Sequence, residues 1–343
     1  MIRPRRTLAT ILSLVGAAGV LAACGGGSGS GTSGATTLTL YNAQHEDLMK
    51  AMVAGFTEKT GIKVEFRSGE DPELANQIVQ EGKASPADVF VTENSPSVQV
   101  VADAGLLAPL DKKTLAQVPE QYRPSSDSWV GFAARSTVLA YNPDLIDESK
   151  LPGSMLDLAK PEWQGKVGFS PGGADFQAIV SAGLALRGQD ATRTWLQGLA
   201  DGDAVYQGNG AVMQAVNDGE IPVGIIYHYY WYKDQAESGK HSNHVKLHYF
   251  GHQDPGAFVS VSGAGVLASS DHPKEAQQLV SYLTSADGQR RLAESTALEY
   301  AVANGAASAK VLPPLSTLDA PKVDPGSLNG PKVIELMQEV GLL

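Results

Sequence analysis

Cysteine is almost absent from this 343-residue sequence, and positive charge is scarce. The single Cys24 excludes an intramolecular disulfide and the usual cysteine-rich metal sites. The formal net charge is −11, and no cluster of Lys and Arg occurs after residue 6. A nucleic-acid-binding protein needs a basic face, so we expect no nucleic-acid partner.

Common catalytic motifs are also missing. The sequence contains no GxSxG nucleophile elbow, no HExxH and no paired acid–base signature. We therefore expect a protein that is not an enzyme. An exported hydrolase is kept as an alternative, which turnover of a substrate would favour.

The composition is that of a globular protein with a large core. Hydrophobic residues make up 43% and charged residues 18% of the chain, which excludes wholesale disorder. The length allows two domains of ordinary size or one large bilobed unit.

The N-terminal segment has the layout of a secretory signal. Residues 2–6 read IRPRR, residues 8–23 are uncharged and apolar, and the stretch is too short to favour a membrane-spanning helix. It ends in LAAC at 21–24, which resembles a bacterial lipobox, where the chain is cut before the cysteine and the thiol carries a lipid. The alternative is an ordinary signal peptide with an incidental cysteine.

A Gly/Ser tract, GGGSGSGTSG at 25–34, follows Cys24 and is typical of a flexible tether. We thus predict a signal peptide at 1–23, and a lipidated Cys24 with its tether at 24–36. The expected location is outside the cytoplasm, anchored by lipid to the cell membrane and facing the periplasm or the cell exterior.

Strand-like and helix-like segments alternate along the rest of the chain. The helical periodicity begins at Leu48 and ends at Gly61, where glycine is a suitable C-cap. Strands are predicted at 37–41, 62–66, 87–91, 138–141, 166–169, 221–226 and 259–267, and further helices at 73–81, 174–186, 191–200, 273–293 and 331–340. This order favours an α/β fold with largely parallel sheets, arranged as two lobes around a cleft.

Polar side chains follow three of the predicted strands. His45 comes after the first strand, Glu93 after the strand at 87–91, and the run YHYYWY at 227–232 after the strand at 221–226. Ligands of open α/β sheets bind beyond the carboxyl ends of the strands. These loops therefore offer an imidazole, a carboxylate and several phenols on the ligand-binding side.

The paired tyrosines Tyr229 and Tyr230 favour ferric iron. Phenols have a pKa of about 10, but a trivalent ion can displace their protons. Two phenolates and the Glu93 carboxylate neutralise Fe³⁺, and His45 adds a neutral donor, which limits the cost of burying the ion. Four protein donors leave about two octahedral positions for water or a small anion.

Each of these residues also has an ordinary structural interpretation. His45 fits a hydrogen-bonding loop residue, and Glu93 fits the N-terminus of a helix, where negative charge is favourable. The aromatic run fits the packing of a helix start. Both neighbouring tyrosines can reach one ion only near an irregular helix start, because adjacent helical residues point about 100° apart.

Considered together, the motifs resemble those of the ferric-binding proteins of bacterial ABC iron importers, a branch of the bilobed type II periplasmic binding proteins. The resemblance runs from about 37 to 343 through LYNAQHED (40–47), PADVFVTEN (86–94), AGLLAPL (104–110), RSTVLAYNPDLI (135–146), PEWQGKVGF (161–169), QAVNDGEIPVGI (214–225), YYWY (229–232), HQDPGAFVSVSGAGVL (252–267) and ALEYAV (297–302). It implies that His45, Glu93, Tyr229 and Tyr230 are iron ligands.

The resemblance also implies an architecture and a set of partners. One lobe would comprise 37–136 plus 259–311, and the other 137–258 plus 312–343. The protein would be a monomer that delivers Fe³⁺ to an ABC permease and its ATPase.

Proteins of this family often complete the site with phosphate or carbonate. The implied anion residues are Gly172, Gly173 and Ala174 in a loop whose amides suit an anion, together with Asn209. Tyr227 stands where the family has an Asn, so it could instead be an added oxygen donor, and Asn94 stands where a Gln is common. Arg135 matches a cleft arginine, which pairs with the anion or with a nearby acid.

A second function within transport stays open. The cleft could bind a metal-free organic cation or oxyanion, with the aromatic run as a cage. A visible charge-transfer colour from phenolate to iron would separate the two alternatives.

Overall fold

The computed structural model describes residues 36–202 and 204–343. The predicted signal peptide at 1–23, Cys24 and the tether up to residue 35 lie outside the described residues. Within the described ranges, no helix combines the length and the apolar character that crossing a membrane requires.

The described chain alternates strands and helices, as the sequence predicts. The strands are β1 Thr37–Asn42, β2 Lys63–Ser68, β3 Val89–Val91, β4 Leu107–Ala108, β5 Trp129–Tyr141, β6 Val167–Phe169, β7 Ala204–Val205, β8 Val223–Tyr227, β9 Lys246–His248, β10 Val259–Leu267 and β11 Tyr300–Ala301. The helices are α1 Glu46–Thr60, α2 Asp71–Glu81, α3 Ser95–Asp103, α4 Lys112–Leu115, α5 Ala174–Ala200, α6 Asn209–Asn217, α7 His228–Glu237, α8 Pro273–Leu283, α9 Ala286–Glu294 and α10 Gly330–Glu339.

The prediction of largely parallel sheets is wrong, because the sheet is mixed, with parallel pairs in each half and antiparallel strands in the middle. Its order is β2-β1-β3-β10-β5-β8-β6-β7. Strand β1 is parallel to β2 and β3, and β6 is parallel to β7 and β8. Strand β10 is antiparallel to β3 and β5, and β5 is antiparallel to β8. The two parallel halves are thus joined through β5 and β10.

Two large hydrophobic cores lie on either side of these joining strands. The first core draws its buried residues from 38–134 and 261–318, and the second from 139–258 and 328–340. A smaller third core, from 138–245, packs on the other face of the second half, around α6 and β8. Each α/β unit must bury the apolar face of its strands against its own helices, so separate cores are expected for two such units.

Strand β5 is much longer than the segment 138–141 that the sequence predicts. All 13 of its residues are buried, so the run lacks the polar alternation by which a half-exposed strand is recognised. Its length lets the same strand pair with β10 in one half and with β8 in the other.

Two helix predictions differ from the structure. The helix expected at 273–293 is divided into α8 and α9, because Ser285 caps α9 through the amide of Gly288. The helices expected at 174–186 and 191–200 form α5, which is interrupted at Gly188, where φ is 78°. That left-handed conformation is available to glycine without steric cost.

Candidate metal centre

Two predicted ligands come from the first half of the sheet. His45 is the N-cap of α1 just after β1, and Glu93 lies between β3 and α3. Because β1 and β3 are adjacent and parallel, their carboxyl ends bring these loops together. The Nε2 atom of His45 lies 3.4 Å from Oε1 of Glu93.

The tyrosine pair lies in the first turn of α7, in the second half of the sheet. His228 separates Tyr229 and Tyr230 from β8, and the centres of the two tyrosine rings lie 4.3 Å apart with an interplanar angle of 30°. The hydroxyl of Tyr229 donates to Oε1 of Glu93 at 3.1 Å. The four predicted ligands are therefore gathered at one place, across the junction of the two halves.

A fifth donor, the carboxylate of Asp175, was not predicted. It lies in the first turn of α5 with 6% of its surface exposed, and its Oδ2 atom is 3.5 Å from both tyrosine hydroxyls. The side-chain amides of Asn94 and Asn209 donate to it at 3.0 and 2.8 Å. The carboxylate is thus held by two amides and faces both phenols.

The spacing of these donors fits one shared cation. Two ligands at about 2.1 Å from a metal and 90° apart are about 3 Å from each other. The neighbouring donor atoms of His45, Glu93, Tyr229, Tyr230 and Asp175 are 3.1 to 3.5 Å apart. One ion can therefore contact them after small movements of the side chains.

No group of three or more His, Cys, Asp or Glu side chains arranged to hold a metal occurs in residues 36–202 and 204–343. The donors gathered here instead combine two phenols with two carboxylates and one imidazole. This is an oxygen-rich set, which suits a hard cation.

Burial keeps the phenols protonated while the cleft holds no cation. It raises the pKa of Tyr229 well above 10, and the charges of Asp175 and Glu93 raise it further. The pKa of Tyr230 is raised for the same reasons. A bound cation must therefore displace two phenol protons, which only a strong Lewis acid does at neutral pH.

The pKa values of Asp175 and His45 are also shifted. Burial, followed by the charge of Glu93, raises the pKa of Asp175 to about 7. For His45, burial lowers the pKa, but the hydrogen bond to Glu299 and the charges of Glu299 and Glu93 outweigh it, so that the pKa is raised. All these shifts follow from crowding several acids in a poorly solvated cleft.

The side chains predicted to hold an anion are arranged around Asp175. Asn209 donates to its carboxylate, and the hydroxyl of Tyr227 lies 3.5 Å from Oδ1 of Asn94. Gly173 is the N-cap of α5 and Ala174 its first residue, with Gly172 one position earlier. Sequence reasoning identified this loop but overlooked the acid behind it, because an acid in a first helical turn is ordinary.

Arg135 pairs with an acid, which is one of the two roles expected for it. It is fully buried, its Nη2 atom is 2.7 Å from Oε2 of Glu299, and its Nη1 atom donates to the backbone carbonyl of Glu93. The guanidinium also lies 5.8 Å from the ring centre of Tyr229. Arg135 therefore places one positive charge behind the acidic donors.

The chain is similar to known proteins along most of its length. A family model for bacterial extracellular solute-binding proteins matches residues 42–290. The Fe(3+)-binding periplasmic protein of Serratia marcescens is 58% identical over 306 residues, which is 89% of this chain and 90% of the relative. The major ferric iron-binding protein of Neisseria meningitidis serogroup B is 36% identical over 308 residues, covering 89% of this chain and 93% of the relative.

The fold also matches a solved structure. Iron-bound HitA from Pseudomonas aeruginosa superimposes with a TM-score of 0.84 at 45% sequence identity, over 90% of this chain and all of the other. Together with the mixed sheet, this match confirms the predicted two-lobed α/β fold of the periplasmic binding protein type. The relatives are solute-binding proteins, in agreement with the expectation that the chain is not an enzyme.

Proposed function

The chain belongs to the bacterial extracellular solute-binding proteins, in the branch that binds ferric iron, and from this premise we propose that it captures Fe³⁺ for import. The observation that carries the proposal is the meeting of donors from both halves of the sheet. Tyr229 donates to Glu93, and His45 lies against the same Glu93 oxygen.

In this proposal His45, Glu93, Tyr229 and Tyr230 bind the ion directly, and Asp175 is a fifth donor. Two phenolates and two carboxylates exceed the +3 charge of the ion by one. The amides of Asn94 and Asn209 stabilise this extra negative charge through hydrogen bonds to Asp175. Arg135 lies 3.9 Å from Glu93, but Glu299 already neutralises its charge, so one negative charge remains. Hydrogen bonds to the carboxylate limit the cost of burying that charge.

Asp175 provides a carboxylate where a phosphate or carbonate was expected. Its side chain accepts the hydrogen bond from Asn209, one of the residues predicted to hold the anion. We therefore propose that a small anion is optional and would occupy only the sixth position. The amides near Gly172, Gly173 and Ala174, with Tyr227 and Arg135 farther back, remain the candidates to bind it.

Capture would close two lobes on the ion. The proposed lobes are 37–136 plus 259–311 and 137–258 plus 312–343. The ranges follow the first and second hydrophobic cores, although Leu312 and Leu318 pack in the first core. Since each lobe supplies only part of the donor set, binding favours the closed state.

Delivery of iron to a membrane transporter would require that the protein is exported and held at the membrane. We propose a monomer outside the cytoplasm, held to the membrane by lipid on Cys24, which passes iron to an ABC permease and its ATPase. Membership of an extracellular solute-binding family supports the delivery to an importer, and the lipobox-like LAAC supports the lipid anchor.

The direct test is the visible spectrum of purified protein loaded with ferric iron. Phenolate ligands give a charge-transfer band, and we expect Tyr229→Phe and Tyr230→Phe each to weaken it and to lower iron affinity. Tyr206→Phe is the matched control, because Tyr206 packs against the third core. It should leave both the band and the affinity unchanged.

Two outcomes would overturn the proposal. A colourless wild-type protein that binds no ferric iron but retains an organic cation or oxyanion would support the metal-free alternative. A band of wild-type intensity in both Tyr229→Phe and Tyr230→Phe would show that other groups ligate the metal.

A further inference from the structure

Behind the donor set lies a buried acid, Glu299, that the metal would not touch. Its Oε1 atom is 3.2 Å from Nδ1 of His45, on the side of the ring opposite to the cleft-facing Nε2. Its Oε2 atom accepts hydrogen bonds from Arg135 at 2.7 Å and from Gln44 at 3.3 Å. Both carboxylate oxygens therefore accept hydrogen bonds from inside the protein.

We propose that Glu299 is a positioning residue that fixes the tautomer of His45. Both ring nitrogens face a carboxylate, which can only accept. Nδ1 forms a hydrogen bond with Glu299 at 3.2 Å, whereas Nε2 lies 3.4 Å from the Glu93 oxygen that already accepts from Tyr229. The proton of the neutral ring therefore belongs on Nδ1, and the lone pair of Nε2 faces the cleft. Metal-binding histidines are commonly oriented by such a carboxylate on the second nitrogen. The proposal rests on the proposed function, because it concerns how His45 serves the ferric site.

The backbone before Glu299 indicates that the surrounding structure holds this residue in a defined position. The preceding Leu298 has φ of 54°, a left-handed conformation that is unfavourable for leucine. Strain of this kind persists only where the surrounding structure requires it. Here the strained residue comes directly before a glutamate whose side chain has no exposure.

Gln44 and Ser262 add hydrogen bonds around Glu299 and His45 that restrain both side chains. Gln44 donates to the hydroxyl of Ser262 at 2.7 Å, and its side-chain oxygen accepts the backbone amide of His45 at 2.6 Å. Arg135 donates to Ser262 at 3.1 Å as well. The side chain of Glu299 therefore has little freedom to rotate away from His45.

The substitution Glu299→Gln tests the tautomer without changing the size of the side chain. A glutamine has one accepting and one donating end. If the oxygen stays on the Arg135 guanidinium, the amide group faces His45, and Nδ1 must then accept. The proton would move to Nε2, which removes the lone pair that a metal needs. The opposite orientation would point two donors at each other beside a buried cation, which is costly.

The first measurement is nitrogen NMR of the metal-free protein at alkaline pH, where the imidazole carries a single proton. We expect His45 to be the Nδ1–H tautomer in the wild type and to shift toward Nε2–H in Glu299→Gln. The signals are assigned by comparison with His45→Ala. An Nε2–H tautomer in the wild type would overturn the inference, even if Glu299→Gln failed to fold.

The second measurement is a double-mutant cycle on ferric affinity. We expect Glu299→Gln to weaken binding by about 10- to 100-fold, the usual effect of removing the partner of a ligating histidine. In the His45→Ala background the same change should have almost no further effect, because Glu299 would act through His45. Asp88→Asn is the control, since Asp88 is a buried acid that accepts the amide of Thr39 at the far end of β1.

The outcomes separate this inference from the proposed function. Additive losses in the cycle would mean that Glu299 is only the counter-ion of Arg135, and would overturn the positioning role while iron binding stands. A wild-type protein that binds no ferric iron would overturn the proposed function, whereas the tautomer would still be read from the metal-free protein.

Discussion

At the scale of the residue, the chemistry of the cleft depends on protons held by buried acids. Asp175 has its pKa raised to about 7 by burial and by Glu93, compared with 3.8 for an exposed aspartate. Between about pH 4 and pH 7 the folded protein keeps this proton while the unfolded chain releases it. The stability of the metal-free protein therefore falls as the pH rises through that window, and a bound cation would relieve the repulsion.

We expect Asp175→Asn to weaken ferric binding by at least about 100-fold, since it removes a direct donor rather than an outer partner. In the metal-free protein the same change should flatten the pH dependence of unfolding between about pH 4 and pH 7, because the titrating group is gone. Competition with a chelator and urea unfolding at several pH values measure the two effects.

The control for Asp175 is Asp254→Asn. Asp254 is another buried acid, which accepts the amides of Met155 and Gly256 within the second half of the chain. It should change stability without changing affinity for iron. Wild-type affinity in Asp175→Asn, in buffer free of phosphate and carbonate, would contradict the fifth donor.

At the scale of the element, local caps decide where helices end. The apolar positions of α8 and α9 follow one helical pattern, so periodicity alone joins them. The side chain of Ser285 instead accepts the amide of Gly288 at 3.2 Å and donates to the carbonyl of Tyr282 at 2.7 Å. A serine with these bonds ends one helix and begins the next.

We expect Ser285→Ala to lower the free energy of unfolding by about 1 kcal/mol, the usual cost of losing an N-cap. Affinity for ferric iron should stay as in the wild type, because α9 lies outside the donor set. Chemical denaturation and chelator competition are the measurements, with Ser125→Ala at an exposed position as the control. A loss of affinity without a loss of stability would show that the α8–α9 junction influences the cleft.

At the scale of the whole molecule, the proposed metal site requires both halves of the sheet. His45 and Glu93 come from the first half, and Tyr229, Tyr230 and Asp175 from the second. Their contacts span sequence separations from 48 residues, between His45 and Glu93, to 136 residues, between Glu93 and Tyr229. Binding of the ion therefore requires both the release of protons from the donors and the approach of the two halves of the sheet.

We expect ferric binding to release about two phenol protons at neutral pH, since burial holds Tyr229 and Tyr230 protonated in the metal-free protein. Below the pKa of Asp175 a third proton should be released. Affinity should consequently fall on the order of 100-fold per pH unit as the solution is acidified near neutrality. Acid thus favours release of the ion.

Calorimetry in buffers of different ionisation enthalpy counts these protons, with iron supplied as a weak chelate and the chelate alone as the reference. Tyr229→Phe and Tyr230→Phe should each remove about one proton from the count. Binding that releases no protons would exclude phenolate ligation.

The sequence by itself determined the fold class, the order of most elements and four residues of the proposed donor set. Strand and helix periodicity are local properties, and the loops after parallel strands meet at one edge whatever the details of packing. The motifs around His45, Glu93 and the tyrosine pair therefore identified the donors that the structure brings together.

Only the tertiary structure decided the rest. The length of β5 depends on the burial of all its residues by the rest of the chain, which the apolar pattern does not encode. Asp175 and Glu299 reach the site through contacts with residues distant in the chain, 54 residues away in one case and 254 in the other. An acid in a helix start or before a short strand has many ordinary uses, and only proximity to His45 and the tyrosines gives these two their roles.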